Sequence, residues 1–301
     1  MAVSVPARRL RLVFPGRKSV VARLARRPAG LFGLVVVIGL GLAAALAPLV
    51  APYDPAAQDI ANRLQGPSQS HLLGTDHLGR DLLSRIIFGA RVELGVAVPA
   101  VSAALVLGLL LGVTAGYLGG RVDNVLIVVM DSIQAFPAVV LALTVLALLG
   151  PSLRNVLFVI ALTFSPQYAR VARASVLALK QDPFIEGARA LGASSLRVVT
   201  VHVLPNIVAP LFILLAMNIP SAIAVEAGLS FLGVGVQPPT ASWGVILAEG
   251  FERVRDAPWP VLSTGLALIL ATLGFTLLGE TLRDAIDPRM RAVRAVQRPR
   301  V

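Results

Sequence analysis

Long stretches without charge constrain this chain more than anything else in it. From Leu31 to Tyr53, from Leu94 to Tyr117 and from Trp259 to Gly279 there is no Asp, Glu, Lys or Arg. At a rise of about 1.5 Å per residue, roughly 20 helical residues cross a hydrocarbon core about 30 Å thick, so each run is long enough to span a bilayer. Of 301 residues 56% are hydrophobic and 14% charged, against roughly 45–50% and about 25% in a soluble domain. An ordinary soluble fold is excluded. Aromatics are scarce and Ala, Gly, Val and Leu dominate, which suits close helix contact where lipid supplies no hydrophobic drive between helices.

The net charge of +11 raises nucleic acid as a partner, but the placement of charge answers otherwise. Arg8, Arg9, Arg11, Arg17, Lys18, Arg23, Arg26 and Arg27 precede the first run; Arg283, Arg289, Arg291, Arg294, Arg298 and Arg300 follow the last. Basic flanks of apolar spans mark cytoplasmic sides, so both termini are expected inside and no nucleic acid is implied. A secretory signal has an apolar core of only about 7–15 residues and a small-residue cleavage site; the run from Leu31 is longer and reads as a signal-anchor span. With no cysteine, disulfides, thiolate chemistry and cysteine metal sites are excluded. Lys18 and Lys180 are the only lysines, and neither stands in the G-x-x-x-x-G-K-[ST] context that cradles phosphates. No Ser/His/Asp set or carboxylate pair suggests a catalytic site, and no cofactor bound by this chain is expected.

Between Ala51 and Arg91 the chain turns polar, and Pro52, Pro55 and Pro67 interrupt any helix in its first part. In the second part Thr75 or Asp76 can cap a helix with Leu78, Leu82, Ile86 and Phe88 opposed to Arg80, Asp81, Ser84 and Arg85, which predicts an interfacial helix. His71 and His77 with Asp76 and Asp81 meet no recognised ligand spacing, so no metal is expected. The second span carries Gly108-x-x-x-Gly112-x-x-x-Gly116, a small-residue ridge read as intramolecular packing in preference to a homodimer seam. A third span runs from Asn124 to about Leu149. Its one acid, Asp131, precedes a Phe136-Pro137 break, and an interfacial or pore-lining role is preferred to a proton relay. The fourth, Asn155 to about Leu179, carries Arg170 and Arg173 on its last turns. The fifth, to about Ala227, is interrupted by Pro210 and Pro220, whose freed carbonyls need neighbours or water and mark it as lining a translocation path. Glu226 lies near its outer end, placed either to meet a substrate amine or to serve packing.

Between spans four and five lies a short polar stretch shaped to dock on a soluble partner. Asp182 suits an N-cap and Pro183 a first helical residue, so a helix can run to Leu191, where Gly192 permits a left-handed stop. Phe184, Ile185, Ala188 and Leu191 are expected on one face, with Glu186 and Arg189 as an i,i+3 pair beside it. Ser194 or Ser195 can cap a second helix leading to Leu204-Pro205.

Glu186-Gly187-Ala188, three residues, Gly192, nine residues, then His202-x-Leu204-Pro205 resembles the "EAA, Gly, I-x-LP" loop of ATP-binding-cassette (ABC) importer permeases. Two positions depart from that pattern: Gly187 replaces the usual first Ala, and His202 replaces an Ile. Gly187 lowers helix propensity by roughly 1 kcal/mol against Ala. His71 to Arg91, HLLGTDHLGRDLLSRIIFGAR, is similar to the signature that opens the C-type permease of dipeptide and oligopeptide ABC importers, with Glu93 where Ser is usual. Leu229 to Gly244, LSFLGVGVQPPTASWG, and the close around Arg283 to Arg289 match the same family.

The resemblance implies an all-α integral membrane protein with six transmembrane helices of the type I importer permease kind, both termini cytoplasmic, in the cell membrane. Its segments would be a basic cytoplasmic stretch 1–30, a first span 31–53, an external loop with an interfacial helix 54–91, a permease domain 92–282 containing the coupling loop 182–205, and a basic tail 283–301. It further implies a homologous second permease, two cytoplasmic ATPase domains that use the ATP and Mg, and an extracytoplasmic peptide-binding protein. The ATPase-docking residues would be Asp182, Phe184, Glu186, Gly187, Ala188, Arg189, Leu191, Gly192, Leu204 and Pro205, and candidates for the path Asp131, Pro137, Pro210, Pro220 and Glu226. The substrate would be a di- or oligopeptide, with nickel and glutathione as alternatives within the family. A proton-coupled secondary transporter using Asp131, Glu226 or Glu280 is the competing class; it lacks an evident inverted repeat and leaves the docking loop unused. A channel or receptor has no filter-like or sensor-like segment in its favour.

Overall fold

The computed structural model describes residues 24 and 27–286, so most of both basic terminal segments lies outside the described residues. Among these, every extended element is helical, and the β content is a lone bridge between Thr75 and Asp81. Helix α1 (Pro28–Ala45) begins on a proline, which the first turn accommodates because its N–H would lack a partner anyway. One further turn, Ala47–Val50, follows, so regular helix ends short of the expected Tyr53.

The polar segment then folds as a compact loop rather than a separate interfacial helix. Neither Thr75 nor Asp76 caps a helix; Asp81 does, its carboxylate accepting from the Ser84 N–H at 2.8 Å. From there α2 (Leu82–Leu118) runs unbroken for 37 residues, about 55 Å at 1.5 Å per residue. The turns expected to lie flat at the interface are its first turns. They are also not amphipathic in the expected sense, because Ser84 and Arg85 are fully buried.

Gly119 turns the chain into α3 (Gly120–Gln134), and α4 (Ala138–Leu149) follows at a 91° bend. The bend falls at Phe136-Pro137, where the proline ring drives its predecessor out of the helical region. Helix α5 (Leu153–Lys180) is capped by Ser152. Short α6 (Pro183–Ala190) precedes a single turn Ser195–Arg197, a π-helical stretch Val198–Val203 and α7 (Leu204–Phe231). The chain closes with α8 (Trp243–Phe251) and α9 (Trp259–Ile286).

Four helical stretches are long and apolar enough to cross a membrane: α1, α2, the continuous rod from Ser195 to Phe231, and α9; the bent pair α3 and α4 makes a fifth if it counts as one span. The expected fourth span, α5, has the length but is too polar to pass on composition. Its Gln167, Tyr168, Arg170 and Arg173 meet Asn218, Asp131 and Asp123 of neighbouring helices, while Gln167 and Arg170 remain exposed.

The core lies where α5 packs along α2. A Cβ on Gly108 would collide with Tyr168 and Ser165, one on Gly112 with Ala169 and Ala172, and one on Gly116 would stand 2.9 Å from Val176 Cβ. The small-residue ridge is therefore filled by α5 of the same chain. Likewise α1 lies on α9, with Gly33 against Gly274 and Leu278.

Candidate functional site

At the C-terminal ends of α2 and α5 the stretch from Asp182 to Pro205 forms a protruding helix and turn. Asp182 accepts from the Phe184 N–H at 3.3 Å, α6 ends at Ala190, and Gly192 follows at φ +84°, a left-handed conformation in which a Cβ is strained. Ser194, not Ser195, caps the next turn. The expected shared apolar face divides in two. Ile185 is fully buried, whereas Phe184 is 44% exposed and Leu191 91% exposed. Leu196 on the following turn is exposed as well. One side of α6 is thus anchored to the domain, and the other offers bulky apolar groups outward.

Glu186 and Arg189 do not pair. Arg189 lies over the Tyr117 ring, 5.4 Å from its centroid, and Lys180 donates to the Tyr117 carbonyl at 2.8 Å, so two cations tie the loop to the end of α2. Among the described residues the Glu186 side chain has no hydrogen bond or ion pair, and it is exposed. Tyr117 is a residue that sequence reasoning missed. Its signal was an aromatic at the end of a long apolar run beside Lys180 and Arg189, and only the fold brings these together. Phe184 meets the His202 ring edge-on at 6.1 Å, linking α6 to the π-helical stretch. That stretch precedes Pro205, which has no N–H to give, and Asn206 Nδ2 donates to the His202 carbonyl at 2.6 Å.

Of the residues expected along a path, Pro137 and Pro210 are exposed and Pro220 is buried. Asp131 accepts from Arg170 Nη2 at 2.6 Å, and both side chains are more than half exposed. Nearby, Arg173 donates twice to Asp123, at 2.5 and 2.6 Å. A cleft of about 350 Å³ opens between α2, α3 and α5 at this level, with Asp131, Arg170 and Arg173 in its lining.

Glu226 does not face an open space. It is fully buried, accepts from Ser230 Oγ at 2.7 Å, and lies against the equally buried Glu93 of α2. Glu93 in turn accepts from the Trp243 N–H at 3.0 Å. This places Glu226 in packing, where α2, α7 and α8 meet.

A second buried polar cluster ties the loop between α1 and α2 to α8. Asp76 accepts from Arg80 Nε at 2.6 Å, and Arg80 and Arg85 each donate to Glu249, at 2.7 and 3.0 Å. Asp76, His77 and Glu249 stand close enough to share a cation, but two guanidinium groups already hold the two carboxylates. The donor set therefore fits a salt-bridged clamp better than a metal centre. Burial lowers the pKa of His77, against the opposing pull of Glu249 and Asp76.

Comparison with known proteins matches this architecture. Residues 108–292 fit the family of binding-protein-dependent transport system inner membrane components, and residues 17–67 the N-terminal TM domain of oligopeptide transport permease C. The chain is 39% identical to a dipeptide transport system permease protein of Alkalihalophilus pseudofirmus, covering 90% of this chain and 89% of that one. It is 39% identical to the di/tripeptide permease of Pseudomonas aeruginosa (96% and 97% covered) and 38% to the nickel permease of Escherichia coli K12 (85% and 93%). Among solved structures, the MetNI methionine ABC transporter in inward-facing form matches with a TM-score of 0.55 at 18% identity, over 72% of this chain and 98% of that one. An amino acid ABC transporter matches at 0.52 and 19%, over 66% and 92%. The shared fold, the two family matches and relatives at about 40% identity over most of their length lead to one conclusion: this chain belongs to the binding-protein-dependent inner membrane components, as an ABC importer permease of the C-type peptide and nickel group.

Proposed function

We propose that this chain forms half of the translocation pathway of an ATP-driven importer of di- or oligopeptides and couples to a cytoplasmic ATPase through residues 182–205. Its partners are a homologous permease, two ATPase domains that hold the nucleotide, and an external peptide-binding protein. In this reading six spans cross the membrane, with α3 and α4 together as the third and α5 as the fourth, and both termini are cytoplasmic. The observation that carries the coupling assignment is the divided α6: Ile185 and Arg189 grip the membrane domain while Phe184 and Leu191 stand exposed. Apolar groups that large, rimmed by polar residues, mark a protein contact.

The geometry also supports a route for force. Movement of α6 reaches the π-helical stretch through Phe184 and His202, and that stretch is continuous with α7. Reconstitution tests the reading. Uptake of dialanine into proteoliposomes should require ATP, the partner permease and the ATPase. Glu186→Lys should reach the membrane normally yet lose ATPase co-purification and uptake, since it reverses a charge on the exposed face. Uptake driven by a proton gradient without ATP would instead establish the secondary-transporter class.

A further inference from the structure

The cleft between α2, α3 and α5 has features that helix packing does not explain. Its ion pair, Asp131 with Arg170, is more than half exposed on both sides. On the six-span reading above, charges on α3 and α5 do not face lipid, so this surface faces water or another polar group. The pair is made by one bond; the remaining Asp131 oxygen and the other Arg170 N–H groups have no side-chain partner among the described residues. Beside it, Arg173 and Asp123 are joined by two parallel bonds, and Asp123 is nearly buried. One pair is closed, while the other is open to exchange.

We propose that this cleft binds the two charged ends of a dipeptide during passage, Asp131 taking the amino group and Arg170 the carboxylate. The proposal rests on the importer reading above and assigns its substrate contact. Three observations support it. The cleft is electrically balanced, with Arg173 neutralised by Asp123, so it suits a zwitterion; an anionic headgroup or phosphate would need surplus positive charge. Its volume of about 350 Å³ stands at the small end of the ~300–1,000 Å³ typical of ligand sites, enough for a short peptide and not a long one. Its remaining walls are apolar or small, Leu111, Gly112, Ile127, Met130 and Ala169 among them, so a side chain is accommodated without any polar group to read it. Exchange is balanced: one Asp131–Arg170 bond opens, and two charge-assisted bonds to the peptide ends form.

The test uses the complete transporter in proteoliposomes with saturating binding protein, and carbon-14 dialanine as probe. Asp131→Asn and Arg170→Gln should each lower the uptake rate at least tenfold while the ATPase still co-purifies with the complex. The exchange variant Asp131→Arg with Arg170→Asp restores an ion pair of reversed polarity; it should also co-purify the ATPase, yet leave uptake low. Recovery of uptake by the exchange variant would show the pair to be structural and overturn the proposal. So would unchanged uptake in either single variant, or loss of ATPase co-purification in them. ATP-independent uptake by the unsubstituted chain would instead sink the importer reading itself, before any variant is compared.

Discussion

Gly192 isolates the rigidity of the loop proposed to couple to the ATPase as few positions can. It lies at φ +84° with nothing within 4 Å of an added Cβ, so substitution there carries a conformational cost and no clash. For an L-residue the left-handed region costs roughly 1–2 kcal/mol, and more when the side chain is β-branched. Since about 1.4 kcal/mol is tenfold in an equilibrium, Gly192→Val should depopulate the observed turn by about one order of magnitude or more. Folding of the membrane domain should be spared, because Gly192 is exposed and its neighbours in the core are untouched. Gly192→Asn is the control, since Asn tolerates this conformation far better. Membrane yield, ATPase co-purification and ATP-driven dialanine uptake would be measured for each. The expected order for docking and uptake is wild type, then Asn, then Val well below, at comparable yield. Docking by the Val variant equal to wild type would refute the idea that a fixed turn presents α6.

Gly112→Val should fail at an earlier stage, because its Cβ meets the Ala169 backbone and Ala172: membrane yield and thermal stability should both fall, whereas Gly95→Ala, with open space around it, should behave as wild type. Glu93→Ala strands the buried Trp243 N–H, a loss of about 1–3 kcal/mol, while Glu93→Gln retains an acceptor; a melting temperature lowered by Ala and nearly restored by Gln is the expected result. His77 has a folded-state pKa below its ordinary 6.5 because burial disfavours its charged form. Its contribution to stability is complete above about pH 6.5 and is lost as pH falls through that value toward the folded pKa, where the unfolded chain takes up the proton first. Thermal melts from pH 7.5 to 5.5 should show this loss, and His77→Gln should flatten that part of the profile.

Much of the architecture was legible because it follows from local rules. The apolar runs gave the long helices, Pro183 and Asp182 the start of α6, Gly192 its stop, and Phe136-Pro137 the bend between α3 and α4. What escaped depended on long-range contact. Arg80 and Arg85 read as an exposed polar side, since nothing in sequence tells of Glu249 more than 160 positions away. A separation of 150 positions likewise hid the contact of Glu93 with Trp243. The interfacial helix was expected because its apolar and polar residues alternate plausibly, yet those polar residues are paired inside the protein, and α2 simply extends through them. Glu186 and Arg189 have the spacing of a pair, but the face of Tyr117 competes successfully for the guanidinium.

The same contest between local and tertiary preference explains why α5 is more polar than the other long helices and still belongs at the centre of the molecule. A helix that packs against α2 through Gly108, Gly112 and Gly116 on one side and meets Asp123, Asp131 and Asn218 elsewhere has partners for its polar groups within the protein. Freed from the requirement to be apolar, it can carry the arginines that make a polar cleft. Its C-terminal end passes directly to Asp182 and α6, so the helix lining that cleft is also the one attached to the exposed face of α6. If the cleft takes the substrate and α6 docks the ATPase as proposed, both act on α5, and closure of a distant ATPase can change the cleft through that one helix.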